Sequence, residues 1–366
     1  MFTNISNNKN QKYFMRLALQ QAKINLGNTN NNPSVGCVIV KNNNIISIGR
    51  TAFKGVPHAE KNAITSCKEQ LTNSTLYSTL EPCVHFGKTP PCINLIKLKK
   101  IKRVFFSLKD PDIRTFNKSK KILQKHRIKV SGGILLNQSN KFYKSYIKTK
   151  NGSLPFVTAK IAISKDLFTV SKKTKWITNE YSRARVHLMR SEHDCIITTY
   201  QTVIKDNPML NCRIKGLENR SPDRVIIDKN LKTPINSKII KSSSKYNTII
   251  FYTNSNTKKI NVFKKMKVKL IKIDTNLNDH FDLQKILLVL KKIGYSRIFL
   301  ESGINLFNSF LIKKLVDEIQ IFVSSKKINK SGSSKINNYV KLLLKKKSLT
   351  INVNLFGDKL KSYRIK

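Results

Sequence analysis

The chain has 366 residues, and 40% of them are hydrophobic, which is enough apolar material for two domains of ordinary size. No stretch approaches the ~18 consecutive apolar residues of a membrane span, and the polar start of the chain lacks the apolar region of a secretory signal. The sequence therefore predicts a cytoplasmic protein without a membrane partner. Because thiols stay reduced in the cytoplasm, a disulfide is the least expected use of the six cysteines.

The charge is strongly one-sided, with 70 Lys and Arg residues against 20 Asp and Glu residues and a formal net charge of +50. Such an excess is typical of nucleic-acid-binding proteins, because basic side chains that neutralise phosphates supply most of the non-specific affinity. Here, however, the basic residues are spread along the whole chain, mostly as Lys, together with much Asn and Ile. This pattern indicates compositional drift, and we expect runs such as 97–103 to be solvated faces without a specific nucleic-acid partner.

Strands and helices alternate in the first half of the chain. The predicted elements, in chain order, are a helix over 11–26, strands over 35–41 and 45–50, a helix beginning near His58, a strand over 75–80, a short helix after Pro91 and a strand over 102–107. This alternation predicts a layered α/β domain.

The segment 148–156, which reads KTKNGSLPF, is the best linker candidate because it combines Asn-Gly, Ser and Pro between two apolar runs. It predicts two domains, 1–150 and 151–366. The elements predicted beyond it are strands over 157–163, 196–199, 224–228, 248–253, 297–301 and 318–323, with helices near 179–190 and 282–293. No fixed-period repeat relates the halves, so the second is an α/β domain of its own kind.

Two cysteines stand nine positions apart in the segment 79–92, which reads TLEPCVHFGKTPPC. A disulfide loop, a structural zinc knuckle and half of a catalytic metal site are the three interpretations of this pair. Upstream, the segment PHAEKNAI places His58 and Glu60 at the start of a predicted helix. A zinc ion that activates water takes three protein ligands and keeps its fourth position open, and His58, Cys83 and Cys92 supply such a set.

Glu60 lies two residues from His58, so its carboxylate can move a proton between the attacking water and a leaving amine without being a ligand. This combination is typical of zinc-dependent base deaminases. Alone, His-Ala-Glu is also typical of a solvated helix start, and a cysteine pair is also typical of a core. The other cysteines within predicted elements, Cys37, Cys67 and Cys195, are expected to be core thiols.

Eight residues separate Cys83 from Cys92, whereas deaminases of free nucleosides, tRNA or DNA usually carry Cys-x-x-Cys. The segment 79–92 closely resembles the TLEPC-x-H-x-G-K/R-TPPC signature of the bifunctional riboflavin-biosynthesis deaminase/reductase family, and NPSVGCVIV at 32–40 matches its NP-x-VGCVIV. The resemblance implies a cytidine-deaminase-like three-layer domain. It also implies zinc-dependent hydrolytic deamination of 2,5-diamino-6-(5-phosphoribosylamino)pyrimidin-4-one.

The same resemblance implies that Asn32, His85 and Lys88 contact this phosphorylated small-molecule substrate. Lys88 is a point charge suited to a phosphate, although a solvated loop lysine is the alternative in so basic a chain. Two departures from the family lead us to expect altered substrate affinity or an altered loop at Pro111. Thr51 stands where the family usually has histidine, and FNKSK at 116–120 replaces a turn of the Gly-Lys-Gly type.

The second half resembles the reductase domain of the same family, which has a dihydrofolate-reductase-like fold and uses NADPH to reduce the ribosyl group to ribityl. The resemblance rests on AKIAISKD at 159–166, KWIT at 175–178, TVIKDNPML at 202–210, VIID at 225–228, LESG at 300–303 and LVDEI at 315–319. No Gly-x-Gly-x-x-Gly follows a predicted strand, so nothing predicts a Rossmann cofactor site.

The resemblance implies two sets of residues in this half. The NADPH site would be lined by Ala162, Trp176, Thr202, Asp206 and a turn made of Gly303, Ile304, Asn305, Leu306 and Phe307. The substrate would meet Lys160, Thr174, Arg190, Leu210, Arg213 and Glu301. A plain core position is the alternative for Trp176, and a turn residue is the alternative for Asp206, which precedes Asn-Pro.

This half also departs from its family, because Leu167 replaces the glycine of a Ser-x-Asp-Gly turn and SKKT shortens the loop before Trp176. A side chain at φ > 0 costs about 1 kcal/mol, so we expect a remodelled turn. Two other functions remain open at this stage, a nucleic-acid base deaminase and a non-catalytic, zinc-stabilised RNA-binding protein. The sequence also leaves open whether the chain forms a homo-oligomer.

Overall fold

A computed structural model describes residues 2–87, 89–276, 280–349 and 351–365, with side chains from residue 9 onward. The chain divides into two compact units, Met1–Ser153 and Leu154–Lys366. Within the described ranges, no helix is both long enough and apolar enough to cross a bilayer.

The first unit contains six helices and five strands among its described residues. They are α1 (Phe2–Ile24), β1 (Gly36–Lys41), β2 (Asn44–Arg50), α2 (Ala59–Ser66), β3 (Thr75–Leu80), α3 (Cys92–Leu98), β4 (Arg103–Leu108), α4 (Lys118–Lys125), β5 (Lys129–Gly132), α5 (Leu136–Phe142) and α6 (Lys144–Asn151). Each element predicted for this half is confirmed, with ends shifted by a few residues, except that α1 begins at Phe2, nine residues before the predicted start. Helix α6 runs into the segment 148–156 that was predicted to be a linker.

The five strands form one sheet in the order β2-β1-β3-β4-β5, in which β3, β4 and β5 are parallel. Successive residues of β1 face opposite sides of this sheet, as the alternation of a strand requires. Cys37 packs in a buried cluster with Ala63 of α2, whereas Val38 packs with Met15 of α1. Helices therefore cover both faces, and the predicted cytidine-deaminase-like three-layer fold is confirmed.

The second unit adds seven helices and ten strands among its described residues. They are β6 (Phe156–Ile163), β7 (Phe168–Ser171), α7 (Glu180–Ser191), β8 (Cys195–Thr199), α8 (Tyr200–Asp206), β9 (Asp223–Ile227), α9 (Lys238–Lys241), β10 (Thr248–Tyr252), α10 (Thr257–Lys265), β11 (Lys269–Lys272), α11 (Leu283–Ile293), β12 (Arg297–Leu300), α12 (Ile304–Ile312), β13 (Glu318–Val323), β14 (Gly332–Lys335), α13 (Asn338–Lys345) and β15 (Lys359–Arg364). The six strands and two helices predicted here are confirmed.

An eight-stranded sheet in the order β11-β10-β9-β8-β12-β6-β13-β15 forms the centre of this unit. Only β15 runs antiparallel to its neighbour. Ile249 belongs to a buried cluster with Leu287 of α11, whereas the next residue, Ile250, belongs to one with Phe263 of α10. Parallel strands buried on both faces are nearly continuously apolar, which explains why their sequence signal was strong.

Strands β8, β12 and β6 are adjacent and parallel, so their carboxyl ends lie at one edge of the sheet. In open parallel sheets, ligands bind in the crevice beyond these ends. Among the predicted reductase residues, Glu301 and Gly303 follow β12, Thr202 follows β8, and Ala162 lies near the end of β6. One correction concerns the segment 303–307, predicted to be a turn. Gly303 is the N-cap of α12, and the residues after it form the first helical turn.

Candidate functional site

Three side chains in the first unit converge with metal-binding atoms. The Nδ1 atom of His58 lies 3.5 Å from the Sγ atom of Cys83 and 3.4 Å from that of Cys92. The three ligand atoms all lie within 4.8 Å of one another. The fold brings them together because His58 caps α2, Cys83 follows β3, and Cys92 begins α3.

These distances fit a zinc ion. With Zn–N bonds of about 2.0 Å and Zn–S bonds of about 2.3 Å, a tetrahedral ion keeps nitrogen and sulfur ligands about 3.5 Å apart. One imidazole and two thiols are also ligands that zinc prefers in proteins. All six cysteines lie among the described residues, and each is free of a disulfide. The cysteine pair at 83 and 92 therefore belongs to a cluster that could hold a metal ion, and the disulfide interpretation is wrong.

The pKa values of the two thiols are shifted in opposite directions. Hydrogen bonds from Cys92, and then from His58, lower the pKa of Cys83, and the amide of Cys92 donates to its sulfur at 3.3 Å. The hydrogen bond with Cys83 and burial raise the pKa of Cys92. A metal ion that binds both sulfur atoms would displace the thiol protons that remain.

Glu60 lies beside this cluster on the first turn of α2 and is only 4% exposed. Its Oε1 atom accepts a hydrogen bond from the Ser78 hydroxyl at 3.0 Å, and its Oε2 atom lies 3.5 Å from Cys92 Sγ. Burial raises the pKa of this carboxyl group. A carboxyl group with a raised pKa, next to a metal-binding cluster, is suited to accept and return a proton near neutral pH.

The predicted substrate residues of this unit have different surroundings. Asn32 is half-buried, and its Nδ2 atom donates to the Gly55 carbonyl at 2.8 Å. His85 is half-buried, with Nδ1 3.0 Å from the Thr115 hydroxyl. Lys88 lies outside the described residues. Thr51 is buried, accepts from the Val35 amide at 2.9 Å and donates to the Pro33 carbonyl at 3.1 Å, so it supports the segment that carries Asn32.

The departure at 116–120 is accommodated by a left-handed residue. Asn117 takes φ 59° at the N-cap of α4, a conformation that Asn tolerates better than most residues. Ser119 donates its hydroxyl to Glu81 at 2.9 Å. The turn is therefore formed without glycine.

In the second unit, the carboxylate of Glu301 contacts two basic side chains. Arg190 binds its carboxylate through Nε and Nη2, both at 2.9 Å, and Lys160 Nζ lies 3.8 Å from it. Burial alone would raise the pKa of Glu301, but the positive charges of Arg190 and Lys160 lower it to about 2. The structure thus brings together three of the predicted substrate residues.

A second layer of contacts surrounds Arg190. Its NH1 atom donates to the Asn211 carbonyl at 3.0 Å and lies 3.5 Å from His187 Nδ1. Burial and the nearby charge of Arg190 lower the pKa of His187 to about 4. Arg213, which is exposed, donates to the Asn211 side chain at 3.3 Å. Leu210 is buried in the core beside them, with φ 51°.

The predicted NADPH residues fall into two groups. Thr202 and Gly303 are close neighbours, because a Cβ atom added to Gly303 would lie 4.0 Å from Thr202 Oγ1. Gly303 is the N-cap residue of α12 and has no side chain that could accept a hydrogen bond from the first amides of the helix. These amides are therefore available to a cofactor phosphate. This edge of the sheet therefore fits NADPH. Ile304, Leu306 and half-buried Ala162 pack partly against the cores, Asn305 is exposed, and Phe307 is 1% exposed within the core.

Trp176 is 56% exposed, so the alternative of a plain core position is wrong. Its ring lies 5.1 Å from the Arg183 guanidinium and 5.4 Å from Lys175 Nζ. Thr174 is exposed, and its amide donates to Ser171 at 3.1 Å. Asp206 is the exposed last residue of α8.

The turn at 164–167 places Leu167, which stands where the family has glycine, in the left-handed region. Leu167 takes φ 72°, and its amide donates to the Ser164 carbonyl at 3.0 Å. Asp166 accepts from the Ser164 hydroxyl at 2.6 Å and from the Asn329 amide at 2.7 Å. These hydrogen bonds hold Leu167 in the left-handed region, and a remodelling of the turn relative to the family stays a prediction.

Five residues of these sites were not assigned a role from the sequence. They are Ser78, Glu81, Thr115, His187 and Asn211. Glu81 stands inside the TLEPC motif, so its position was a usable signal. The others are ordinary polar residues whose contacts depend on residues far away in the chain.

Comparisons with known proteins cover both units. The chain matches the family model "RibD C-terminal domain" over residues 155–343 and "Cytidine and deoxycytidylate deaminase zinc-binding region" over residues 8–108. It is 35% identical to the riboflavin biosynthesis protein RibD of Actinobacillus pleuropneumoniae over 350 residues, which cover 92% of each chain. It is 34% identical to RibD of Aquifex aeolicus over 317 residues, which cover 86% of this chain and 87% of that protein.

Solved structures agree with these matches. The diaminohydroxyphosphoribosylaminopyrimidine deaminase/5-amino-6-(5-phosphoribosylamino)uracil reductase of Thermotoga maritima superposes with a TM-score of 0.83 at 30% identity, covering 98% of this chain and 99% of that one. RibD of Acinetobacter baumannii gives the same TM-score at 28% identity and covers 97% of this chain. The resemblance inferred from the motifs is confirmed, and the chain belongs to the RibD family of bifunctional riboflavin-biosynthesis enzymes.

Proposed function

We propose that the two reactions of the family are divided between the units, with zinc-dependent deamination in residues 1–150 and NADPH-dependent reduction in residues 151–366. The enzyme hydrolytically deaminates 2,5-diamino-6-(5-phosphoribosylamino)pyrimidin-4-one and then reduces the ribosyl group to ribityl. The observation that carries this division is the convergence of His58, Cys83 and Cys92 next to Glu60, entirely within the first unit.

His58, Cys83 and Cys92 hold the zinc ion in this proposal. When bound, zinc lowers the pKa of a coordinated water to about 7, which makes a nucleophile available at neutral pH. Glu60 accepts the proton of the attacking water and delivers it to the departing amine, which leaves as ammonia. The hydrogen bond from Ser78 to Oε1 orients the carboxylate for this transfer.

Asn32 and His85 contact the pyrimidine substrate, and Lys88 neutralises its phosphate. Asn32 already donates to the Gly55 carbonyl, which holds its amide in one orientation. The half-buried position of His85 in the insertion between the two cysteines favours a role in substrate binding over one in the core.

The second unit binds the sugar phosphate and NADPH. Glu301 holds Lys160 and Arg190 in place. Three of the five N–H groups of Arg190 are used by Glu301 and Asn211, so the more exposed Arg213 carries the main phosphate contact. Thr174 and Leu210 complete the substrate contacts. NADPH supplies a hydride. It lies against Ala162, Trp176, Thr202, Asp206 and the first turn of α12 at residues 303–307.

The enzyme acts on a small molecule, and we propose that its charge serves no specific nucleic-acid partner. The basic concave surface between the ends of α3 and α4 has a local explanation that needs no such partner. It is lined by Lys97, Lys100, Lys125 and His126, at helix C-termini whose carbonyl groups attract positive side chains. The proposed compartment is the cytoplasm, where free thiols such as the zinc ligands persist. Sedimentation of the purified protein would test the homo-oligomer that the sequence left open.

The division of labour is tested with the zinc-loaded full chain and the diaminopyrimidine phosphate, with and without NADPH. We expect deamination without NADPH and formation of the ribityl product only with it. The Glu60→Gln variant should lose deamination but still reduce the deaminated intermediate when it is supplied. The Glu301→Gln variant should keep deamination and lose reduction. Loss of both reactions in either variant would contradict the division. Salt-dependent RNA binding without turnover would instead favour the RNA-binding alternative.

A further inference from the structure

Glu81 is a buried carboxylate that the proposed chemistry does not use. It follows β3 directly and is 2% exposed. Its Oε2 atom accepts the amides of Asp110 and Asn117, both at 3.2 Å. Its Oε1 atom accepts the amide of Ser119 at 3.2 Å and the hydroxyl of Ser119 at 2.9 Å. One carboxylate thus holds both ends of the loop 110–119.

The middle of this loop is fixed by a second carboxylate. Asp112 accepts from Arg114 NH2 at 2.6 Å and from Lys150 Nζ at 2.8 Å. Its carbonyl accepts the Thr115 amide at 2.8 Å. Glu81 thus fixes the two ends of the loop and Asp112 fixes the backbone at Thr115, whose side chain is completely buried.

The hydroxyl of Thr115 lies 3.0 Å from Nδ1 of His85. His85 belongs to the insertion between the two zinc-binding cysteines, and Nε2 is the ring's other hydrogen-bonding atom. A hydrogen bond at one ring nitrogen sets the orientation of the imidazole. The Thr115 hydroxyl therefore leaves Nε2 as the atom that can meet a ligand.

We propose that Thr115 is a positioning residue for deamination, presented by the loop that Glu81 holds, and that it orients His85 so that Nε2 contacts the substrate. The inference rests on the proposed function, in which His85 contacts the pyrimidine. A purely structural role for Thr115 is the competing explanation, because a buried hydroxyl needs a hydrogen-bond partner in any case.

The test compares steady-state deamination by the zinc-loaded full chain in five variants. Thr115→Val keeps the shape of the side chain and removes the hydroxyl, Thr115→Ala removes it in a smaller side chain, and Thr115→Ser restores it. His85→Ala and the double variant His85→Ala/Thr115→Val complete a cycle that measures whether the two side chains act together. Zinc content and NADPH-dependent reduction of the supplied intermediate check the fold of each variant.

We expect the KM of Thr115→Val and Thr115→Ala to rise on the order of tenfold, as for one lost hydrogen bond, with kcat changed much less. Thr115→Ser should restore the KM, and Thr115→Val should add nothing in the His85→Ala background. An unchanged KM in both hydroxyl deletions, while His85→Ala raises it, would overturn the inference and leave the proposed function standing. An equal effect of Thr115→Val with and without His85 would show a structural role. A normal KM in His85→Ala would overturn the inference together with the substrate role proposed for His85.

Discussion

The Nδ1 atom of His58 lies 3.4 Å from the Sγ atom of Cys92, although 34 positions separate the two residues. Their approach depends on α2 and α3 packing against the same face of the sheet, where Ala63 and Ile96 belong to one buried cluster. The ligand set is therefore complete only in the folded unit. Zinc that binds the folded but not the unfolded chain stabilises the fold, so removal of the metal should destabilise the first unit.

The substitution Cys83→Ser should leave two strong protein ligands and largely abolish zinc binding, because a neutral hydroxyl is a poor replacement for a thiolate. Metal analysis of the purified variant checks this, with close to one zinc per chain expected for the unaltered protein. Cys67→Ser is the matched control, since Cys67 is a half-buried free thiol of the same unit outside the cluster. Full zinc occupancy in Cys83→Ser would remove Cys83 from the ligand set.

Glu60→Gln separates metal binding from proton transfer. Glutamine keeps the size of the side chain and can still accept from Ser78, but it cannot shuttle a proton. We expect zinc to be retained while kcat for deamination falls by ~10²-fold or more, the scale typical of general acid–base catalysis. Near-normal turnover in this variant would assign the proton transfer to another residue.

Gly55→Ala should disturb the placement of Asn32. Gly55 has φ 91°, and an added Cβ would lie 2.5 Å from the Thr29 carbonyl oxygen and 2.9 Å from the Cβ of Asn32. Gly133, with φ 95° and no atom within 4 Å of an added Cβ, is the matched control. Both alanine variants should lose about 1–2 kcal/mol of unfolding free energy to the left-handed backbone, and Gly55→Ala should lose more because of these close contacts. Only Gly55→Ala should also raise the KM for deamination, and equal KM values in the two variants would count against a substrate role for Asn32.

Trp176 should contribute to NADPH binding and little to stability, because its ring is 56% exposed. Titration followed by NADPH fluorescence should show saturable binding to the unaltered chain. Trp176→Ala should weaken it by roughly tenfold, the scale of a lost aromatic contact. Tyr339→Ala, which removes another exposed ring of the second unit, should leave affinity unchanged. Absence of saturable binding to the unaltered chain at millimolar NADPH would contradict the reductase site.

The second unit should lose stability in acid through Glu301. The pKa of this carboxyl group is about 2 in the folded unit and near 4.5 in an unfolded chain. Its contribution is therefore fully present above pH 4.5 and is lost as the pH falls toward 2, with a total of about 3 kcal/mol. Urea unfolding followed by Trp176, the single tryptophan of the chain, reports on this unit.

Glu301→Gln should lack this acid dependence, whereas Glu180→Gln, at an exposed carboxyl group of α7, should keep it. If the unaltered chain and Glu301→Gln lost the same free energy between pH 6 and pH 3, the ion pair with Arg190 would not be its source.

The sequence predicted those elements whose hydrophobic pattern is visible in their own residues. Strands such as β8 and β12 are buried on both faces, so their apolar runs were visible without knowledge of their neighbours. Strand β15 reads KLKSYR and was missed, because it forms by pairing with buried β13 at the edge of the sheet. Its strand conformation is a property of tertiary context, which outweighs local propensity here.

The same distinction applies to the sites. The cluster of His58, Cys83 and Cys92 beside Glu60 could be anticipated because metal chemistry restricts the residue types and their spacing. The contact of Arg190 with Glu301 joins residues 111 positions apart, and no local pattern marks it. The backbone at Leu167 could not be predicted either, although its cause is local. Its left-handed conformation depends on hydrogen bonds made by neighbours such as Asp166.

Buried carboxylates have a consequence for how this chain tolerates mutation. Among the described residues, eight of the 20 acidic side chains in the chain are buried, against three of the 70 basic ones. The eight are Glu60, Glu81, Asp110, Asp112, Asp228, Asp317, Glu318 and Asp358. In so basic a protein, an acidic residue is therefore a guide to places where the fold or the chemistry requires an anionic oxygen. Replacing carboxylates one by one should impair this enzyme far more often than replacing lysines one by one.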